Sequence, residues 1–170
     1  MVAYGIRSYQ HGCLLLDIGT LMGGKTPKIV ELGDGFKEIT ESWGPDMGST
    51  QYVNMKAKAN TLKGYDFSTT VEREYISDEV QTTVDKLFKT LPTGKQCETY
   101  YYRFYKSDLN TSESSMTGEC IRIPVTVAPD STGGSGGDIL TSSVQIKGNG
   151  DAVLGTITIS EDGAFTWAAS

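Results

Sequence analysis

The sequence is poor in the residues that most enzyme and metal chemistry needs. Its 170 residues include one histidine, His11, so Ser/Cys–His catalysis or a histidine-based metal site would rest on that side chain alone. His11 sits in a polar, glycine-flanked start, Tyr9-Gln10-His11-Gly12, and reads as an ordinary polar residue. There are three cysteines, Cys13, Cys97 and Cys120, an odd number with no C-x-x-C pair. That excludes a disulfide framework and a cysteine-based zinc site as readings and fits reduced thiols. Long apolar runs are missing too. The early run Cys13-Leu14-Leu15-Leu16 ends at Asp17, short of the ~7–15 residues of a signal-peptide core and of the ~20 of a membrane span. A chain made and kept in a cytoplasm is therefore expected, with no membrane partner. Basic excess is absent: 15 Lys and Arg stand against 21 Asp and Glu, a net charge of −6. Such a balance does not draw a chain to nucleic-acid phosphates.

What is abundant is glycine. The 20 glycines, beside only five prolines, exceed the usual ~7% and imply many turns joining many short strands. The length suits one domain, 1–170, able to bury a core without disulfides or metals. Glycine-rich stretches near 19–48 and 131–137 are expected to be flexible loops, with Lys28–Leu32 and Phe36–Ile39 as short strands inside the first.

Alternation marks the strands. Residues 13–18 read as a buried strand or connector. From Tyr65 to Tyr75 one face carries Tyr65, Phe67, Thr69, Val71 and Tyr75, with Arg73 out of character, and the other Asp66, Ser68, Thr70, Glu72 and Glu74. That is a half-buried strand with an acidic back. Val53, Met55, Ala57, Ala59 and Thr61 alternate before it, and Leu62-Lys63-Gly64 suits a three-residue hairpin turn. This register predicts Ala59 opposite Phe67 and a left-handed Gly64. Thr99–Tyr105 carries aromatics on both faces and predicts a strand covered on both sides. Ile121, Ile123, Val125 and Val127 form another, which Pro124 makes an edge or bulged strand. Strands near 139–146, 153–159 and 165–167 follow, separated by Gly148-Asn149-Gly150-Asp151, read as a hairpin turn, and Asp162-Gly163.

One helix is predicted, over about 78–91. Val80, Val84, Leu87, Phe88 and Leu91 make one stripe, with Gln81, Asp85 and Lys89 expected outside. Ser77 or Asp78 caps its start and Pro92 and Gly94 stop it.

Three motifs suggest chemistry and fail on context. Gly19-Thr20-Leu21-Met22-Gly23-Gly24-Lys25-Thr26 matches GxxxxGK[ST]. A phosphate loop needs a helix directly after it; Pro27 and Gly33-Asp34-Gly35 leave room for none. The carboxylates of the 66–74 strand stand on a regular polar face, where solvation is the default. Tyr100, Tyr101, Tyr102 and Tyr105 are expected to pack in a core or at an interface, although a carbohydrate-binding or adhesion module would also use such a strand.

An ordered set of segments carries a resemblance. These are Gly23-Gly24-Lys25-Thr26, Leu32-Gly33-Asp34-Gly35-Phe36, Trp43-Gly44-Pro45, Gln51-Tyr52-Val53-Asn54-Met55 and Tyr65-Asp66-Phe67-Ser68. Ser77-Asp78, Leu87-Phe88-Lys89-Thr90, Pro92-Thr93-Gly94, Glu98–Tyr105, Gly148–Val153 and Phe165-Thr166 complete it. Along nearly its whole length the chain resembles the major tail proteins, or tail tube proteins, of long, non-contractile-tailed bacteriophages of Gram-positive hosts. The resemblance implies a mainly β (α+β) fold: two antiparallel sheets packed as a β-sandwich or half-barrel with one flanking helix. It implies a structural subunit, not an enzyme, without cofactors, assembled with itself into stacked hexameric rings of the virion tail. Its further partners would be tail terminator, tape measure and distal tail proteins, and viral DNA passing the lumen without specific binding. Asp66, Ser68, Thr70, Glu72 and Glu74 are the candidate lumen-facing residues, with Lys56 and Lys58 expected beside them, because an acidic wall repels phosphates.

Overall fold

The computed structural model describes residues 12–33 and 35–170. His11 lies outside them. In chain order the strands are β1 (Gly12–Asp17), β2 (Ile29–Glu31), β3 (Phe36–Ser42), β4 (Pro45–Thr50), β5 (Ala59–Tyr65) and β6 (Ser68–Glu74). The helix α1 (Glu79–Thr90) follows. Then come β7 (Glu98–Tyr105), β8 (Asn110–Thr111), β9 (Ser115–Gly133), β10 (Thr141–Gly148), β11 (Val153–Ser160) and β12 (Phe165–Ala169). The short strands at 28–32 and 36–39 that the glycine-rich stretch predicted are β2 and β3.

The 19-residue β9 is the spine. One edge pairs with β7, Tyr101 facing Ile123. The other pairs with β11 along its first half and β10 along its second. The sheet continues outward as β2-β1-β7-β9-β10-β6-β3, ten strands in all with β8, β11 and β12, each pairing antiparallel. Four strand steps separate β7 from β3, roughly 19 Å in a flat sheet at ~4.8 Å a step. Yet Glu41 on β3 accepts hydrogen bonds at 2.7 Å from both the Tyr101 hydroxyl and Arg103 Nε on β7. The sheet is therefore curled into a half-barrel, and the two expected layers are parts of one continuous sheet.

Curling creates an inner core. Leu14, Leu16, Tyr101, Ile123, Val125, Val127, Val144, Ile146, Val71 and Phe67 face it, and α1 covers it with Val80, Val84 and Leu87. The void left between helix and sheet is only about 20 Å³, room for about one water. The other face of β1 and β7 carries a second cluster, Leu15, Tyr102, Phe104, Cys120 and Ile157, which Phe165 and Trp167 of the β11–β12 hairpin cover. So β7 is covered on both sides, as its two aromatic faces predicted. Gly155 lets β12 close: a Cβ there would stand 2.3 Å from the Ala168 carbonyl oxygen and 2.5 Å from the Trp167 ring.

Two turn readings are corrected. Gly148-Asn149-Gly150-Asp151 is not a hairpin turn. β10 and β11 run in line along β9, and residues 149–152 stand against two residues between the Gly148–Val125 and Val153–Arg122 pairs. The Pro124 carbonyl accepts from Asn149 N at 2.8 Å, so the proline nitrogen, which has no proton to give a ladder, faces this bulge. The strand of Pro124 is thus not the edge strand expected, since β9 is paired on both sides, and the irregularity falls on the chain beside it. Asp162-Gly163 is a hairpin turn, with Gly163 at φ 81°.

The second correction concerns 52–75. Residues 59–65 and 68–74 do not pair with each other. β5 pairs with β4 in a separate two-stranded arm, Ala59 facing Thr50, and Leu62-Lys63-Gly64 lies inside β5 across a register shift. Gly64 is not left-handed. β6 pairs instead with β3 and β10. The cause is burial: β5 is exposed along nearly its whole length, so its apolar alternation reports no buried face, and register arguments need one.

The helix forms where predicted. Asp78 caps it by accepting from Gln81 N at 2.8 Å. Two stripe assignments change. Leu91 is 64% exposed, because it takes the left-handed cap position at φ 45° before Pro92 and turns away from the core. Gln81 is 1% exposed; its side-chain amide donates to Asp85 at 3.0 Å, and its carbonyl oxygen has no partner. Asp85 is half-buried and Lys89 exposed.

Candidate functional site

Alternation on β6 sorts its residues cleanly. Thr69, Val71 and Arg73 are buried, while Thr70 and Glu72 are exposed and Ser68 and Glu74 half-exposed. Thr70, Glu72 and Glu74 line a shallow polar groove of about 480 Å³ with Lys37, Glu38 and Thr40 of β3 and Thr141 and Ser143 of β10. Lys37 pairs with Glu74. The hydrogen bond and charge of Glu74, and more weakly the charge of Glu72, raise the Lys37 pKa above its ordinary value. Ser68 shares the strand face beyond this groove, and Asp66 precedes β6 and lines a different cleft. Lys56 and Lys58, expected beside the acidic face, sit instead in the loop between β4 and β5.

Arg73 occupies a buried position that sequence alternation marked as out of character. Its guanidinium, 2% exposed, grips both Asp78 carboxylate oxygens and lies 5.6 Å from the Phe36 ring centroid. The Arg73 hydrogen bond holds the Asp78 carboxyl below its ordinary 3.8 against the opposing effect of burial. One carboxylate thereby caps α1 and ties it to the sheet.

The other motifs resolve into structure. The segment 19–26 forms a turn and a short 3-10 stretch, Leu21–Gly23, and β2 follows where a phosphate loop would need a helix. Asp17 shapes this turn, accepting from the backbone nitrogens of Gly19, Thr20 and Lys28. Tyr101 and Tyr102 are buried, and Tyr100 stacks on Arg122, whose other aromatic neighbour is Trp167. The aromatic strand is therefore packing, not an open platform. Cys97 and Cys120 are buried and free, and burial pushes the Cys120 thiol up to about 12. Among the described residues no group of His, Cys, Asp and Glu is arranged to hold a metal ion, and no helix is long and apolar enough to cross a membrane.

Two features carry no signal in the sequence pattern. One is the arm itself, on which Met47, Tyr52, Val53, Leu62 and Tyr65 are all more than 40% exposed. The other is a cleft of about 700 Å³ at its root, walled by Trp43, Tyr65, Phe67 and Ile123 with Asp66 and Asp151 among its lining. It exists because Gly44 makes a left-handed bend at φ 48° beneath the Asp66 carbonyl and because the 149–152 bulge swings out of the sheet opposite.

Solved structures share this overall fold. A chain from the tail of an empty gene transfer agent particle with C6 symmetry superposes with a TM-score of 0.58 at 10% identity, over 86% of this chain and 97% of that one. A chain from the native gene transfer agent virion gives 0.58 at 9% identity over 88% and 98%. The sheath/tube terminator of an extracellular contractile injection system gives 0.55 at 8% identity over 91% and 99%. The chain has a tail-tube-like fold. No protein-family model matches the sequence, and no curated protein does. The tail-tube-like fold is thus visible in backbone geometry at identities where sequence similarity has gone.

Proposed function

We propose that this chain is a structural subunit of a phage-type tail, which assembles with itself into stacked hexameric rings forming a tube for DNA passage. The observation that carries this reading is the fold match across nearly the whole of both chains. The neighbours it matches are components of tails and injection systems, and their span leaves little of this chain over for another purpose. The exposed arm supports the reading, since an isolated two-stranded hairpin is at best marginally stable in water and gains from a partner surface. Edge strands add a second argument. Among the described residues β3 and β12 each pair on one side only, and closing such edges into a ring removes unpaired backbone groups.

Within this reading, the face of Ser68, Thr70, Glu72 and Glu74 belongs to the sheet that lines the lumen, while Asp66 serves the root of the arm. An acidic wall repels phosphate, whereas a basic wall would hold DNA by counterion release. Tail terminator, tape measure and distal tail proteins are the further partners a subunit of this kind requires. Electron microscopy of the purified protein tests the assembly: hexameric rings or tubes are expected, and a persistent monomer at high concentration overturns it. Glu72→Lys with Glu74→Lys tests the lumen: tubes should still form while DNA ejection slows. Carboxylates found on the outer wall of an assembled tube would defeat that assignment.

A further inference from the structure

We propose that the cleft at the root of the arm is the socket for the tip of the β4–β5 arm of a second copy of this chain. The inference rests on the self-assembly reading and names the residues that join two copies.

Three observations carry it. The first is charge. Between Pro45 and Tyr65 stand one acid, Asp46, and three lysines, Lys56, Lys58 and Lys63, a net of +2 in a chain of net −6, so the remainder carries −8. The arm is basic on an acidic body, and the cleft presents Asp66 and Asp151. The second is shape and polarity. The tip loop offers Tyr52, 67% exposed, and Val53, fully exposed, beside Lys56 and Lys58. An aromatic-walled cleft of about 700 Å³ accepts such side chains, and carboxylates in its lining accept the ammonium groups. The third is reach. The arm pairs from Pro45–Tyr65 at its root to Thr50–Ala59 near its tip, six residues or roughly 20 Å at ~3.3 Å per residue. Gly64, Tyr65 and Asp66 of the cleft belong to the root, so a tip at that distance cannot fill its own cleft. An arm tip that enters this cleft therefore comes from another copy. A tip-to-root contact of this kind is repeated by every copy in the assembly, each giving one tip and receiving one.

Cross-linking and charge reversal test the socket. Val53→Cys and Ala152→Cys place one thiol on the exposed tip and one in the cleft lining, on separate chains that are mixed and oxidised under assembly conditions. The expected result is a disulfide-linked pair in the mixture and none in either variant alone. In parallel, Asp66→Lys with Asp151→Lys should raise the concentration needed for assembly about tenfold or more, and mixing with Lys56→Glu, Lys58→Glu subunits should restore it. If tubes form but the mixed variants do not cross-link and charge reversal has no effect, the socket is wrong and the tube reading stands. If the wild-type protein never self-associates, the tube reading fails and the socket fails with it.

Discussion

The helix-covered side of the sheet and the β4–β5 arm make opposite use of apolar residues. Under α1, Leu87, Val71, Val127 and Ile146 are all at most 1% exposed, and the remaining void is only about 20 Å³. On the arm, Tyr52, Val53 and Tyr65 are more than 60% exposed. One region satisfies itself within a single chain. The other carries exposed apolar surface and net positive charge on a two-stranded sheet apart from the main one, as a surface for the proposed second copy would. Stability and assembly should therefore separate by region.

The sharpest break on the first side is Asp78→Ala. It removes the cap of α1 and leaves the Arg73 guanidinium buried without that carboxylate, so a loss of about 3–5 kcal/mol is expected in chemical denaturation. Leu87→Ala, at the centre of the helix contact, should cost roughly 2–5 kcal/mol, more if the sheet cannot close on the cavity. Acid probes the same clasp. The folded pKa of Asp78 is depressed by Arg73, so its contribution is complete above the unfolded value and is lost as pH falls through the folded one. Stability should decline below about pH 4, and the Asp78→Asn variant, lacking that contribution, should show a shallower acid decline.

A smaller effect in the opposite direction is expected at Leu91, an exposed residue held at φ 45°. Leu91→Gly removes the left-handed penalty and should stabilise by about 1 kcal/mol, read as a raised denaturation midpoint. The least effect on stability belongs to the arm. Tyr52→Ala with Val53→Ala should stay within about 0.5 kcal/mol of the parent while greatly weakening assembly. A large loss of monomer stability in that variant would show that the arm packs on its own chain and would dissolve the contrast.

Much of the helix-covered side is legible in the sequence. The α1 stripe, its Asp78 cap and its Pro92 stop are local signals, each acting within a turn or two of helix. The alternation of β6 and the doubly aromatic β7 are legible because those strands have faces buried against a core, which writes a period into the sequence. Arg73 breaks the β6 pattern, and the break marks the buried partner of the helix cap. Of the candidate acidic face, Thr70, Glu72 and Glu74 come together in one groove as a period of two requires, whereas Asp66 departs because Gly44 bends the chain at the arm root.

The remaining features depend on contacts distant in sequence. Nothing local to Gly148–Asp151 distinguishes a hairpin turn from a bulge; the choice is made by Pro124 and the long β9 strand, against which β10 and β11 both align. Nothing local to 52–65 says that its partner is the poorly strand-forming segment 45–50, since an arm without a buried face imposes no pattern on its side chains. The amino-acid sequence by itself determined a glycine-rich β protein, acidic and short of catalytic residues, with one capped helix. Only the tertiary structure decided that the sheet curls far enough for Glu41 to reach β7, that one pair of strands leaves the body, and that a cleft opens where it leaves. Each of those depends on chain segments meeting across many residues, and a period of two or 3.6 carries no record of which segment will lie opposite.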